Sequence, residues 1–271
     1  MAFSVLKSVL PNKPVPMRIW RGPLRGGYAV MNPRNSMRKV LGLYEHELNK
    51  WLERALRLTD RVIDVGANDG YFTFGCAAAF HRMRKESEVI AFEPEDDHFR
   101  SLSESLRRRP RDLVKFKLVQ SFVGANESSD STTLDSIRCD LRSPNDRART
   151  LIKIDVEGAE EDVLAAAGSW LDASNCFLIE VHKESFLESI PRLFSGRGLM
   201  LDQINQRPLK LIGRELRDEQ NWWLVSRLPT RQARNNIGQS PNEGRSPRQL
   251  ACDGEAKPRL TSAGKAVVFK P

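Results

Sequence analysis

Apolar residues alternate between two patterns along the middle of the chain. Runs of consecutive apolar residues predict buried strands at residues 62–65, 89–92, 113–119, 151–156 and 177–181. Segments with apolar residues three and four positions apart lie between most of these runs and predict helices. Strands that are apolar on both faces and alternate with helices are typical of a mostly parallel sheet covered on both sides. The pattern therefore predicts an α/β fold.

The two ends of this region follow different patterns. Apolar positions from Leu48 to Leu56 recur at helical spacing and predict one amphipathic helix that ends before Thr59. The first forty residues contain five prolines and predict irregular or strand-like structure. The segments GLMLDQI and NWWLVSRL predict two final strands that form an antiparallel hairpin.

These patterns divide the chain of 271 residues into three parts. We expect residues 1–58 to form a cap on the substrate side, and residues 59–229 to form the α/β domain. Residues 230–271 are rich in Asn, Gln, Ser, Gly, Pro and Arg and lack hydrophobic periodicity, which predicts a disordered basic tail. The apolar stretch from Ala266 to Phe269 is too short to change that expectation.

The net charge of +8 suggests an anionic partner such as nucleic acid. However, the tail holds eight Lys or Arg against three Asp or Glu, so most of the excess lies outside the domain. Nucleic acid is therefore not expected as the substrate. The four cysteines are widely spaced and no run of eighteen apolar residues occurs, which predicts neither disulfides nor a transmembrane segment. We expect a cytoplasmic protein.

A glycine-rich turn, VIDVGANDG, follows the first strand of the domain. In a doubly wound sheet, ligands bind beyond the carboxyl ends of the strands, and glycines let the backbone approach them closely. The turn reads GxNxG instead of the dinucleotide fingerprint GxGxxG, and a Walker lysine is absent. Asp64 lies in the apolar strand before the turn, where a carboxylate is costly unless it meets a cationic group.

Glu93 ends the second strand, 23 residues after Gly70. A carboxylate near this position accepts hydrogen bonds from ribose hydroxyls in dinucleotide-binding folds. Together, Asp64 and Glu93 predict a nucleoside ligand that carries a positive charge. S-adenosylmethionine fits this description, with its ammonium near Asp64 and its ribose on Glu93.

Four segments resemble the FkbM family of S-adenosylmethionine-dependent methyltransferases: VIDVGANDGYFTF, VIAFEPEDDHF, TTLDSI and LIKIDVEGAEEDVLAAAGSWL. The resemblance extends over about residues 18–228 and includes the upstream RGPLRGG and LGLYEHEL. It implies a Rossmann-like class I methyltransferase fold, with a mostly parallel seven-stranded sheet whose last strand is antiparallel. It also implies O-methylation of a hydroxyl on a small molecule or glycan.

The expected cofactor-binding residues lie at the ends of the first, second and fourth strands. They are Asp64, Gly66, Ala67, Asn68, Gly70, Phe72, Glu93, Pro94 and Asp155. No carboxylate between the third strand and TTLDSI can be assigned to the adenine amino group.

Charged residues on the fourth and fifth strands are the candidates for catalysis. Lys153, Asp155 and Glu157 share one face at the ligand end of a central strand. We expect Asp155 and Glu157 to position or deprotonate the acceptor hydroxyl, although Lys153 and Asp155 can also form a buried ion pair. His182, at the end of the fifth strand, is expected to be the general base.

Several alternatives accompany these assignments. Asp155, Glu157, Glu180 and His182 can instead bind a divalent metal, but their spacing matches no dedicated motif, so no metal is expected. The acidic residues 160–162 fall in the first turn of a helix and are assigned to helix stability. Tyr44 and Glu45 either cover the cofactor or start the amphipathic helix.

Two other functions remain open. The run RRRPR at residues 107–111 favours a nucleic-acid methyltransferase. However, the loop after the fourth strand reads DVEG where enzymes that methylate a flipped base often carry an Asn-Pro-Pro-Tyr type loop, and arginines also suit a helix end. The second possibility is a protein that binds the cofactor without catalysing a reaction.

Overall fold

A computed structural model describes residues 10–109, 113–141, 148–209, 222–229 and 266–269. The strands are β1 (Val15–Arg18), β2 (Tyr28–Met31), β3 (Arg61–Val65), β4 (Ser87–Phe92), β5 (Val114–Val119), β6 (Phe122–Val123), β7 (Ser131–Thr132), β8 (Thr150–Ile154), β9 (Cys176–Val181), β10 (Leu201–Ile204), β11 (Trp222–Ser226) and β12 (Ala266–Phe269). The helices are α1 (Pro33–Val40), α2 (Asn49–Leu58), α3 (Tyr71–Arg82), α4 (Asp96–Arg107), α5 (Leu134–Leu141), α6 (Glu160–Ala165) and α7 (Phe186–Ser195).

The main sheet has the strand order β10-β11-β9-β8-β3-β4-β5-β12. Strands β3, β4, β5, β8 and β9 pair in parallel, and β11 lies antiparallel between β9 and β10. The predicted α/β class is confirmed, as is the mostly parallel seven-stranded sheet with its last strand antiparallel. The chain order reverses on the two sides of β3, so the carboxyl ends of β3, β4 and β8 flank a topological switch point.

Strand β12 is an eighth strand that the sequence did not predict. Ala266–Phe269 pairs antiparallel with the outer edge of β5, with Ala266 opposite Val119. The expectation that this stretch is too short to be ordered is therefore wrong. A partner strand supplies backbone hydrogen bonds that the local pattern does not reveal. The rest of the predicted disordered tail lies outside the described residues.

Two hydrophobic cores lie on opposite faces of the sheet because successive side chains of a strand point to opposite sides. Val62 and Leu151 belong to a core that includes residues of α2, α3 and α4. Ile63 and Ile152 belong to the other core, which includes residues of α5, α6 and α7. Every residue of β3, β8 and β9 is buried, which explains why these strands read as continuous apolar runs.

The N-terminal segment folds as a hairpin followed by a helix. Strands β1 and β2 pair antiparallel, and the Val30 amide donates to the Ser105 hydroxyl of α4 at 2.8 Å. Helix α1 was not predicted from the sequence. It begins at Pro33, and the Asn32 side chain accepts a hydrogen bond from the Arg34 amide at 3.0 Å. Proline at the first helical position and an Asn cap both favour a helix start.

The segment EEDVLAAAGSWL predicts a helix over residues 160–171, but helix α6 ends at Ala165. The Asp135 carboxylate of α5 accepts hydrogen bonds from the Gly168 and Ser169 amides, at 3.1 and 2.8 Å. These amides are thus satisfied by a side chain outside the helix, and the chain turns away. Within the described residues, no helix combines the length and apolar composition needed to cross a bilayer.

Candidate active site

A cleft of about 980 Å³ opens at the carboxyl ends of the central strands. This is the edge of the sheet at which ligands bind in doubly wound folds. Tyr44 lines the cleft, together with residues at or just after the ends of five strands. These are Val65, Gly66 and Asn68 at β3; Phe92, Glu93, Pro94, Glu95 and His98 at β4; Ser121, Phe122 and Val123 after β5; Asp155, Val156, Glu157 and Ala159 after β8; and Glu180 and His182 at β9.

The glycine turn is held tightly between β4 and β8. The Gly66 and Ala67 amides donate to the Phe92 carbonyl at 3.1 and 3.0 Å. Gly66 has a φ of +79°, and a Cβ atom there would collide with the Asp155 carbonyl oxygen. Only glycine fits a left-handed position with backbone this close. Asn68 follows with a φ of 49°, as its tolerance of this region allows.

Glu93 connects the second strand to this turn. Its Oε2 accepts a hydrogen bond from the Asn68 amide at 2.6 Å, and its Oε1 accepts one from the Glu95 amide at 3.0 Å. The residue is 4% exposed and lines the cleft. An ionised carboxylate offers about four acceptor positions, so Glu93 can accept further bonds from a ligand.

Asp64 lies behind the turn and does not contribute to the described cleft lining. It is fully buried, and its Oδ2 accepts a hydrogen bond from the Thr73 hydroxyl at 2.5 Å. Lys153, its partner in register on β8, places Nζ 3.6 Å from Oδ1. Burial raises the pKa of Asp64, and Lys153 and Thr73 partly oppose this. The contact with a cofactor ammonium stays a prediction, and the present partners of Asp64 do not support it.

Lys153 also pairs with Asp155, with 2.8 Å between Nζ and Oδ2. Burial alone would raise the pKa of Asp155, but the Lys153 ammonium outweighs it and lowers that pKa below its ordinary value. Asp155 nevertheless lines the cleft. The sequence left two alternatives for Asp155, a buried ion pair with Lys153 and a position in the ligand cleft. The structure contains both.

His182 makes its shortest polar contact with a residue that the sequence assigned to helix stability. Its Nδ1 lies 2.6 Å from Oε1 of Glu160, and its Nε2 lies 3.8 Å from Oδ1 of Asp155. Burial lowers the pKa of His182, but the Glu160 hydrogen bond and the charges of Glu180, Glu160 and Asp155 raise it above 6.5 overall. The ring is thus held with Nδ1 toward Glu160.

Glu160 itself is fully buried at the start of α6. Its Oε1 also accepts a hydrogen bond from the Gly158 amide at 2.9 Å. Sequence reasoning missed this role because an acidic residue in the first turn of a helix has an ordinary explanation in the helix dipole. The signal that distinguishes Glu160 from Glu161 and Asp162 is burial, since α6 exposes its two neighbours.

The other expected site residues divide into two groups. Pro94 and Glu157 line the cleft, and Glu157 has a left-handed φ of 50°. Ala67, Gly70 and Phe72 do not belong to the described lining. The Phe72 ring lies 5.7 Å from the Lys153 ammonium, and Gly70 is the residue before α3.

Tyr44 and Phe122 are further cleft residues. The Tyr44 ring meets Tyr71 edge-on, with centroids 5.7 Å apart. Tyr44 lines the cleft, whereas Glu45 caps a short 3₁₀ helix, His46–Leu48, that leads directly into the amphipathic helix at Asn49. Phe122, in the short strand β6, is 53% exposed although it is a large apolar residue. The cleft therefore has an aromatic ring available for contact with a ligand.

Asp155, Glu180 and His182, which we call the carboxylate–histidine group, converge at one point of the cleft. Each offers one ligand atom, and these atoms all lie within 4.8 Å of one another. Glu157, the fourth residue considered from the sequence, is not part of this set. The expectation that no metal binds was based on the spacing of these residues along the sequence. The fold brings three of them together in space regardless of that spacing.

Comparison with known proteins agrees with the resemblance found in the sequence. Residues 103–198 match the family model described as the methyltransferase FkbM domain. Over this range the chain is similar to FkbM methyltransferase domains. The FkbM match includes the carboxylate–histidine group and Glu160, whereas the glycine turn and Glu93 precede it.

The chain is also similar to hexuronic acid methyltransferase AglP of Haloferax volcanii. It is 26% identical over 179 residues, which cover 59% of this chain and 72% of that protein. An FkbM methyltransferase structure from Methylobacillus flagellatus is 17% identical with a TM-score of 0.47, and the match covers 83% of this chain and 58% of that one. Precorrin-6y C5,15-methyltransferase from Geobacter metallireducens is 16% identical with a TM-score of 0.44, covering 68% and 86%.

Proposed function

We propose that this methyltransferase uses S-adenosylmethionine to O-methylate a hydroxyl group of a small molecule or glycan. The observation that carries the proposal is one cleft lined by two sets of residues. The glycine turn and Glu93 form the first set, and Asp155, Glu157 and His182 form the second. The related AglP, which is named for a hexuronic acid, supports a hydroxyl-bearing sugar as the acceptor class.

The residues of the first set fit the cofactor. Glu93 retains acceptor positions for the ribose hydroxyls, and the turn at Gly66 lets the backbone come close to the ligand. The exposed ring of Phe122 offers an apolar face for adenine, to which no carboxylate was assigned. The carboxylates that line the cleft favour a cationic ligand. When bound, the cofactor supplies a methyl group already activated by its sulfonium.

The residues of the second set act on the acceptor. An acceptor oxygen must be held in line with the S–C bond, and its proton must leave during or after attack. Asp155, Glu157 and His182 offer oxygen and nitrogen atoms to hold the hydroxyl and receive this proton. Glu160 sets the orientation of the His182 ring through Nδ1, so that Nε2 is directed toward Asp155.

The nucleic-acid alternative gains no support from the cleft. Five carboxylates line it, those of Glu93, Glu95, Asp155, Glu157 and Glu180, and no Lys or Arg occurs among its described lining residues. A polyphosphate chain would meet electrostatic repulsion there. The RRRPR run lies at the C-terminal end of α4, partly outside the described residues, and none of its described residues lines the cleft.

Calorimetric titration with S-adenosylhomocysteine tests the cofactor assignment. Replacing Glu93 with Ala should weaken binding by about 1–3 kcal/mol, the scale of hydrogen bonds to a charged group. Glu104→Ala is the matched control because Glu104 pairs with Arg108 on the exposed surface of α4, away from the cleft. Equal affinities in wild type and Glu93→Ala would contradict the assignment. Release of S-adenosylhomocysteine with a panel of hydroxyl acceptors then tests the reaction itself.

A further inference from the structure

The carboxylate–histidine group has the composition of a divalent-cation site. Asp155 follows β8, and Glu180 and His182 belong to the neighbouring strand β9 and the residue after it. Their ligand atoms lie within 4.8 Å of one another. Ligand atoms placed about 2.0–2.2 Å from one metal ion can be at most about 4.4 Å apart, so the group needs only small side-chain movements to enclose a cation.

The surroundings of His182 provide an independent indication. Metal-binding histidines usually donate their second ring N–H to a carboxylate, which sets the tautomer and directs the other nitrogen to the metal. The fully buried Glu160 occupies this position, 2.6 Å from Nδ1. The Gly158 amide holds the same Glu160 oxygen at 2.9 Å. Nε2 therefore remains as the nitrogen that faces the group.

The local charges also favour a cation. Glu180 is only 2% exposed, and its ligand oxygen lies within 4.8 Å of that of Asp155. Two carboxylates this close repel each other, and a cation between them offsets that repulsion. The Lys153 ammonium is shared between Asp155 and Asp64, at 2.8 and 3.6 Å. A divalent cation would offset the charge of both Asp155 and Glu180.

We propose that Asp155, Glu180 and His182 bind one divalent cation that also receives the hydroxyl oxygen of the acceptor. Two carboxylates and one imidazole suit Mn²⁺ or a similar ion. The part concerning the acceptor rests on the proposed function. A cation-bound hydroxyl loses its proton more readily. That proton passes to Glu157, the O–CH3 bond forms as the S–CH3 bond breaks, and the sulfur of the departing S-adenosylhomocysteine is neutral.

Titration of the chelator-treated full chain with MnCl2 tests the cation site directly. Free Mn²⁺ is followed by electron paramagnetic resonance, and no turnover is needed. We expect saturable binding at one site. Glu180→Gln and His182→Ala should each weaken it by about tenfold or more, and Glu160→Gln, which acts through His182, by about tenfold. Glu157→Gln is the matched control from the same cleft and should leave Mn²⁺ affinity within about twofold.

The outcomes separate the cation site from the proposed function. Absence of saturable Mn²⁺ binding by the wild type overturns the site, as does unchanged affinity in both Glu180→Gln and His182→Ala. If either variant fails to fold, as judged by circular dichroism, Asp155→Asn takes its place with the same expectation. Titration of the same samples with S-adenosylhomocysteine shows independently whether the cofactor assignment holds.

Discussion

Lys153 is the residue on which the buried charges of the site depend. Its ammonium lies close to the carboxylates of both Asp64 and Asp155. Burial alone would lower the pKa of Lys153, but these two carboxylates raise that pKa above its ordinary value. We expect Lys153→Met to reduce the free energy of unfolding by about 3–5 kcal/mol, because it leaves two buried carboxylates without their partner. Urea unfolding measures this loss.

The control for Lys153→Met is Arg57→Gln, which breaks an exposed ion pair with Glu53 on one helix face. Exposed pairs of this kind contribute up to about 1 kcal/mol. A loss for Lys153→Met that is no larger than the control would show that Asp64 is protonated or otherwise compensated in the folded protein.

Gly66 offers a second test at the same scale. Gly66→Ala would place a methyl group against the Asp155 carbonyl, so the turn must move. We expect S-adenosylhomocysteine affinity to fall by at least about tenfold, or 1.4 kcal/mol. Gly198→Ala is a matched control because Gly198 has a similar φ of +72°, and no atom lies within 4 Å of the point that a Cβ atom would occupy.

In both glycine variants, alanine in a left-handed conformation should lower the free energy of unfolding by about 1–2 kcal/mol. Only Gly66→Ala should lose cofactor affinity, which calorimetry measures. Equal affinities in the two variants would mean that the turn adapts without reaching the ligand.

Individual site residues could be predicted from sequence where a polar side chain interrupts an apolar pattern. Glu93, Asp155 and His182 are polar residues at the ends of apolar strands, and all three line the cleft. The partner of Asp64 could not be predicted, because the register of β3 against β8 brings in Lys153 from 89 residues away. Glu160 was missed because its position in a helix already explains its charge.

At the scale of elements, β12 gives the clearest prediction. Truncation after residue 265 removes β12 and leaves the outer edge of β5 without its partner. Loss of a few backbone hydrogen bonds, at about 0.5–1.5 kcal/mol each, should lower the melting temperature by several degrees. Affinity for S-adenosylhomocysteine should stay within about twofold, because β5 keeps its pairing with β4. Differential scanning calorimetry measures the change.

Truncation after Pro229 serves as the comparison. It removes residues 230–265 as well, and we expect the same melting temperature as for the shorter truncation. If only the longer truncation lowers the melting temperature, the stabilising part of the tail precedes β12.

Elements whose signal is local could be predicted, and those that depend on distant partners could not. The central strands are buried on both faces, so their apolar runs are unambiguous. Helix α6 was predicted too long because Asp135, 33 residues before Gly168, accepts hydrogen bonds from the amides that a longer helix would use. The short β12 gains its order from β5 and carries little signal of its own.

For the whole molecule, the distribution of charge matters more than its sum. The chain has a net charge of +8, yet the described lining of its cleft is acidic. Eight of the basic residues follow Thr230 in the sequence, beyond the residues that line the cleft. Composition alone therefore points toward an anionic partner, whereas the cleft favours a cationic ligand such as a sulfonium.

The residues of the carboxylate–histidine group lie at the ends of two hydrogen-bonded strands, so the sheet fixes their relative positions. The loops around it can then change in length or sequence without displacing the proposed catalytic residues. This arrangement suits directed evolution. Libraries confined to the segment before α2, which contributes Tyr44 to the cleft, would sample new acceptors while the carboxylate–histidine group keeps its geometry.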